Sequence, residues 1–109
     1  MIDHAAALAL TLEHEPVPAE QVVAGQPTTG LAELGVFDGH GYGVWEMTPG
    51  AMADVEVDEI FVVLAGAATV EFVDAGYTLE LGPGFVGHLL AGTRTIWTVT
   101  ESLRKIYMG

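Results

Sequence analysis

Apolar residues in this chain fall in short runs, and glycine or proline interrupts nearly every one. In the run Glu59-Ile60-Phe61-Val62-Val63-Leu64, closed by Gly66, β-branched and aromatic side chains dominate, which predicts a strand. Strand side chains two apart share a face, so Glu59 lies with Phe61 and Val63, while Ile60, Val62 and Leu64 lie opposite. Both faces are apolar and both therefore need cover. A carboxylate on such a strand needs a metal, a cationic partner, a shifted pKa or a place at a wet rim.

The same pattern predicts further strands over Leu31–Phe37, Tyr42–Thr48, Met52–Val57, Ala67–Val73, Tyr77–Leu81, Phe85–Leu90, Thr95–Thr100 and Leu103–Met108. Turns are expected at Asp38-Gly39-His40-Gly41, Pro49-Gly50, Ala65-Gly66, Asp74-Ala75-Gly76, Gly82-Pro83-Gly84 and Ala91-Gly92. Ala5 to Glu15 reads as a short helix from its alanines and Asp3 as N-cap, or as a strand from the alternation of Leu8, Leu10 and Leu12; the strand is preferred for its second half. Pro16 and Pro18 end regular structure, and Ala19 to Val23 can form one helical turn. Many short strands at this spacing predict a single all-β domain, a sandwich or barrel.

Composition narrows the function classes. At 109 residues the chain holds one core, and its apolar runs fall short of the roughly 20 residues needed to span a bilayer. No basic leader precedes the first Ala/Leu run, so no secretory signal is expected and the cytoplasm is the default compartment. Without cysteine there is no disulfide, thiol nucleophile or thiolate metal site. Fifteen acidic residues against three basic ones, Arg94, Arg104 and Lys105, give a net charge of −12. That balance argues against nucleic-acid partners and anionic membranes, which both need basic surfaces. It serves solubility first, and attraction of cationic ligands or metal ions second.

Two glycine-bounded modules stand out: Gly50 through Glu59 to Gly66, and Leu79-Glu80-Leu81-Gly82-Pro83-Gly84 continuing to Gly92. With Gly43-Val44-Trp45-Glu46, Trp97 and the ending Arg104-Lys105-Ile106-Tyr107, the order and spacing resemble the cupin superfamily over roughly Leu31 to Met108. The likeness is to the single-domain branch that includes ureidoglycine aminohydrolase-type and ethanolamine-utilisation-type cupins. It implies a double-stranded β-helix (jelly-roll barrel) over residues 31–109. Residues 1–30 would form an N-terminal arm packed on that barrel or on a partner subunit. The resemblance also implies a homodimer, of isologous type.

A metal-binding cupin offers two His and a Glu in its first motif and a third His in its second. Here Glu59 matches the Glu. The His pair falls on Ala53 and Val55 or, with a one-residue longer gap, on Met52 and Asp54, and the third His falls on Thr95. Three of the four usual ligands are therefore absent. A rebuilt site of Glu59 and His88, with Asp54, would hold Mn, Zn, Fe or Ni by mixed nitrogen and oxygen ligation. Parity along the strand sets Glu56 and Asp58 on a face apart from Glu59. His88 reads first as a hydrogen-bonded strand histidine and second as a ligand or acid/base group, and His4, His14 and His40 read as surface residues. The pocket candidates are thus Glu59, His88, Thr95, Trp97, Trp45, Phe61 and Tyr42, with the two tryptophans serving core or cup.

Arg104 and Lys105, being adjacent on a strand, point to opposite faces. They read as surface charges or, alternatively, one of them turns inward to pair with Glu59. An inward Lys105 would satisfy the buried carboxylate without metal and leave it a poor general base. Three functions remain open: a metal-free cupin binding a small polar or aromatic metabolite, a metal-dependent enzyme of the ureidoglycine aminohydrolase type, and an assembly or accessory protein acting through its outer faces. The first is preferred, because three of the four usual metal ligands are missing.

Overall fold

The computed structural model describes residues 3–109, and its regular elements are all strands: β1 (His14–Pro16), β2 (Val22–Ala24), β3 (Thr28–Phe37), β4 (His40–Met47), β5 (Gly50–Val55), β6 (Glu59–Phe72), β7 (Tyr77–Leu81), β8 (Val86–Leu89) and β9 (Arg94–Met108). No helix among the described residues is long and apolar enough to cross a membrane. The strands make one antiparallel sheet curled on itself, with β6 and β9 paired along most of their length. On one half, β8, β6, β9, β4, β3 and β1 lie side by side; on the other, β7, β6, β9, β5 and β2. Both halves feed one core that includes Met47, Met52, Phe61, Val70, Leu81, Leu89, Trp97 and Leu103. The result is the expected jelly-roll barrel.

Two corrections to the expected elements share one cause. The runs on either side of Ala65-Gly66 are a single strand, β6, and those on either side of Glu101 are a single strand, β9. The pair crosses from one half of the barrel to the other at successive register shifts between Val63 and Ala68. Bulges bend a strand without ending it, which is how a barrel turns its corners. Gly66 is the residue that permits this corner. Its φ is +97°, and a β-carbon there would come within 2.1 Å of the Ser102 carbonyl oxygen. The glycine that reads as a turn is a strand bend.

The N-terminal segment lies on its own barrel. Leu12 joins Leu34 and Val44 in a second apolar cluster outside β3 and β4, with Ala7, Leu10 and Tyr42 packed against it. The strand expected in the second half of Ala5–Glu15 is confined to His14–Pro16; Ala7 to Ala9 form a turn instead. A turn does follow Pro18, closed by the Gln21 N–H donating to the Pro18 carbonyl, before the chain extends again as β2. Arg104 fastens this arm. Its guanidinium donates to the carbonyls of Ala7 (2.9 Å), Leu8 (3.3 Å) and Leu10 (2.6 Å) and to Glu46 Oε2 (2.8 Å). His14, expected at the surface, is half-buried and contacts Thr28 Oγ1 and Glu46 Oε1, each at 2.8 Å. It is covered because β1 pairs with β3 and places the ring over the arm seam.

Candidate functional site

An inward face built from β4, β5, β6 and β9 forms a cup at one end of the barrel. Antiparallel pairing sets Met52 opposite Trp97, Asp54 opposite Thr95, and Trp45 opposite Lys105. Period-two alternation then brings Glu59 and Phe61 to the same interior. The cup encloses a cavity of about 340 Å³ whose lining includes Trp45, Asp54, Glu56, Glu59, Trp97, Lys105 and Tyr107, with Leu31, Met52, Val55 and Val57 as apolar wall and rim.

At its floor sits an ammonium. Lys105 Nζ lies 2.6 Å from Glu59 Oε2 and over three rings: 4.7 Å from the Phe61 centroid and 4.8 Å from those of Trp45 and Trp97. The inward alternative for Lys105 is the one the structure adopts. A buried ammonium loses several kcal/mol of hydration, and a carboxylate with three π-faces replaces that loss with directed attraction. The rings brace one another: Trp45 and Trp97 centroids are 5.9 Å apart, and Phe61 meets Trp97 edge-on at 5.8 Å. Phe61 reaches this position because Gly87 opposite it carries no side chain; a β-carbon there would lie 2.3 Å from the ring.

A second polar group forms the wall. Glu56 Oε2 accepts from the Thr95 hydroxyl at 2.5 Å and from the Trp97 indole N–H at 2.9 Å. Thr95 is thus behind the cup, orienting Glu56 and Trp97. Asp54 stands beside them with its Oδ1 accepting from the Val55 N–H at 2.8 Å. Burial foremost, then the charge of Glu56, pushes the Asp54 carboxyl above its ordinary value. Burial also raises the Tyr107 phenol, aided by Glu33 and Glu59.

Of the sequence candidates, Glu59, Trp45 and Trp97 line the cavity, while Phe61 and Thr95 support it from behind. His88 and Tyr42 lie elsewhere. β8 pairs Leu89 with Glu59 and His88 with Ile60, so His88 shares the exposed outer face of Ile60. Tyr42 faces the arm, where its hydroxyl donates to the Asp3 carbonyl at 2.6 Å. Glu56 is the residue that parity misplaced. β5 ends at Val55, and the irregular link to β6 resets the alternation so that Glu56 joins Glu59 in the cup.

The donor set does not fit a transition metal. Among the described residues no three His, Asp or Glu side chains converge as a metal requires. Met52, Asp54 and Thr95, where the family resemblance would place imidazoles, do sit on the inward face. The matching carboxylate is held instead by Lys105 at 2.6 Å, so a divalent cation would meet a like charge across it.

The sequence matches the profile of the EutQ-like cupin domain family over residues 32–107. No functionally curated protein matches it. Among solved structures, a DUF861-family protein of unknown function from Pseudomonas syringae pv. tomato aligns with TM-score 0.78 at 20% identity, over 92% of this chain and 44% of that one. The EutQ protein of Clostridium difficile aligns with TM-score 0.63 at 20% identity, over 75% of this chain and 61% of that one. A DUF861-family protein from Thermotoga maritima gives 0.54 at 26% identity, over 59% and 73% of the two chains. This chain thus spans less than half of the first relative and about three fifths of the second.

Proposed function

The chain belongs to the EutQ-like cupin domain family, and on that premise we propose that it binds a small polar or aromatic metabolite in its cup without a tightly held metal. The observation that carries this reading is the Lys105 ammonium paired with Glu59 and ringed by Trp45, Phe61 and Trp97. It supplies a fixed positive charge beside Glu59, the one matched metal-ligand position, and leaves an open cavity above it. A cavity of about 340 Å³ with aromatic walls and a few convergent polar groups is of the size and make-up that small ligands use.

A thermal-shift screen of polar and aromatic metabolites tests the reading. A ligand selective for the folded state, present at about 100 times its Kd, stabilises by about 2.7 kcal/mol and raises Tm. Silence across a broad panel overturns it. Stoichiometric Mn, Zn, Fe or Ni in protein purified without chelator would instead favour the metal-dependent enzyme.

The outer face supports a second, compatible reading, a homodimer. Ile60, Val62, Val86, Ile106 and Met108 lie there together with His88. A second copy seated on that face would cover these apolar side chains, and the face adjoins the strip the arm already covers, where Ile106 pairs with Val44. Sedimentation at micromolar concentration is expected to give a dimer that Ile60→Glu dissociates. A monomeric parent chain refutes it.

A further inference from the structure

We infer that the metabolite is a small organic cation, an ammonium on an apolar body, seated between Asp54 and Glu56 against the aromatic wall of the cup. This rests on the reading that the cup binds a small molecule, and it adds the charge of that molecule.

The carboxylates of the lining outnumber its cations. Asp54, Glu56 and Glu59 face one ammonium, Lys105, and Glu59 already holds it at 2.6 Å. Among the described residues no other basic side chain is free to neutralise the other two. The sequence has three basic side chains, and each is engaged: Arg94 with Asp74, Arg104 with Glu46, and Lys105 with Glu59. The histidines do not serve either, since His14 is bound to Glu46 and His4, His40 and His88 are exposed away from the cup. Two carboxylates in a partly dry cleft repel each other, and the Asp54 carboxyl is raised by its burial first and by the Glu56 charge second. A cation between them relieves both.

The walls suit the same ligand. Trp45 and Trp97 already hold one ammonium at 4.8 Å, so the cup's own packing uses cation–π attraction. Leu31, Val55 and Val57 at the rim accept an apolar body. A cleft whose lining carries more carboxylates than cations also raises the local concentration of positive ions, and the net charge of −12 adds a favourable field at long range. An anion would need Lys105, which lines the floor of the cup but is buried and already tied to Glu59 at 2.6 Å.

Benzylammonium, benzyl alcohol and benzoate share a skeleton and differ in charge, and tetramethylammonium supplies a second cation. Titration calorimetry on the whole chain, at neutral pH and low salt, is expected to rank benzylammonium at least about tenfold above the alcohol, with benzoate weakest. Asp54→Asn should weaken benzylammonium about fivefold or more and change the alcohol less than about twofold. If the alcohol or benzoate binds as tightly as benzylammonium, the cation assignment falls while the small-molecule reading stands. If neither cation binds up to about 10 mM but the metabolite panel yields a neutral or anionic ligand, the cation assignment falls again. If the panel is silent as well, both fall.

Discussion

Lys105→Met is expected to destabilise the fold by about 3–5 kcal/mol, the usual loss when one member of a buried ion pair is removed. Methionine fills the space among Trp45, Phe61 and Trp97, so the loss reports charge rather than a void. What remains is Glu59, side chain 15% exposed and stripped of the cation that solvates it. Glu59→Gln in the Lys105→Met background removes the stranded charge and should recover most of the loss, because a neutral pair avoids the desolvation that the ionic pair must overcome. Urea denaturation of the parent, both single variants and the double variant closes the cycle. A Lys105→Met protein within about 1 kcal/mol of the parent would show that water reaches Glu59 freely and that the pair is a surface contact.

Arg104→Met is expected to free the arm. One guanidinium satisfies three arm carbonyls and Glu46, and each buried acceptor left without a donor costs about 1–3 kcal/mol unless water replaces it. With partial rehydration, a net loss of about 3 kcal/mol corresponds to roughly a hundredfold more frequent arm opening, readable as faster amide exchange over residues 7–12. Acid should act in the same direction. Burial works to raise the Glu46 carboxyl, but hydrogen bonds from Arg104 and His14 outweigh it and hold the group below its ordinary value of 4.5. A depressed carboxylate contributes its stability above the unfolded-state pKa and loses it as pH falls through the folded one. The parent arm therefore loosens below about pH 4.5, and Arg104→Met should lose much of that acid dependence. A variant with unchanged exchange over the arm and an unchanged acid profile would show that the apolar contacts of Leu12 alone hold it.

Both predictions come from neighbours in sequence that the strand sends to opposite sides. Their divergence was legible in the chain, since period-two alternation requires it, and so was the meeting of an inward Lys105 with Glu59 as one of two alternatives. The destination of Arg104 was not. It depends on an arm almost a hundred residues earlier folding back over β4, a long-range contact with no local signature. Glu56 was misplaced for a different reason. Alternation carries parity only while the backbone stays extended, and the link from Val55 to Glu59 breaks it. His88 followed the rule faithfully, but the side of β8 that faces inward is set by its pairing with β6.

By itself the sequence determined the β class and the face that Glu59 shares with Phe61, which follow from residue chemistry and from a repeat of two that each strand enforces locally. Its resemblance to the cupins carried the jelly-roll family and the absence of imidazoles at the usual metal positions. Only the tertiary structure decided that Lys105 takes the inward partner's role, that Asp54 and Glu56 share the cup without a cation of their own, and that Gly66 bends a strand rather than ending it. Those outcomes depend on which strands become neighbours and where bulges shift their register, and chain closure of the barrel settles both at once.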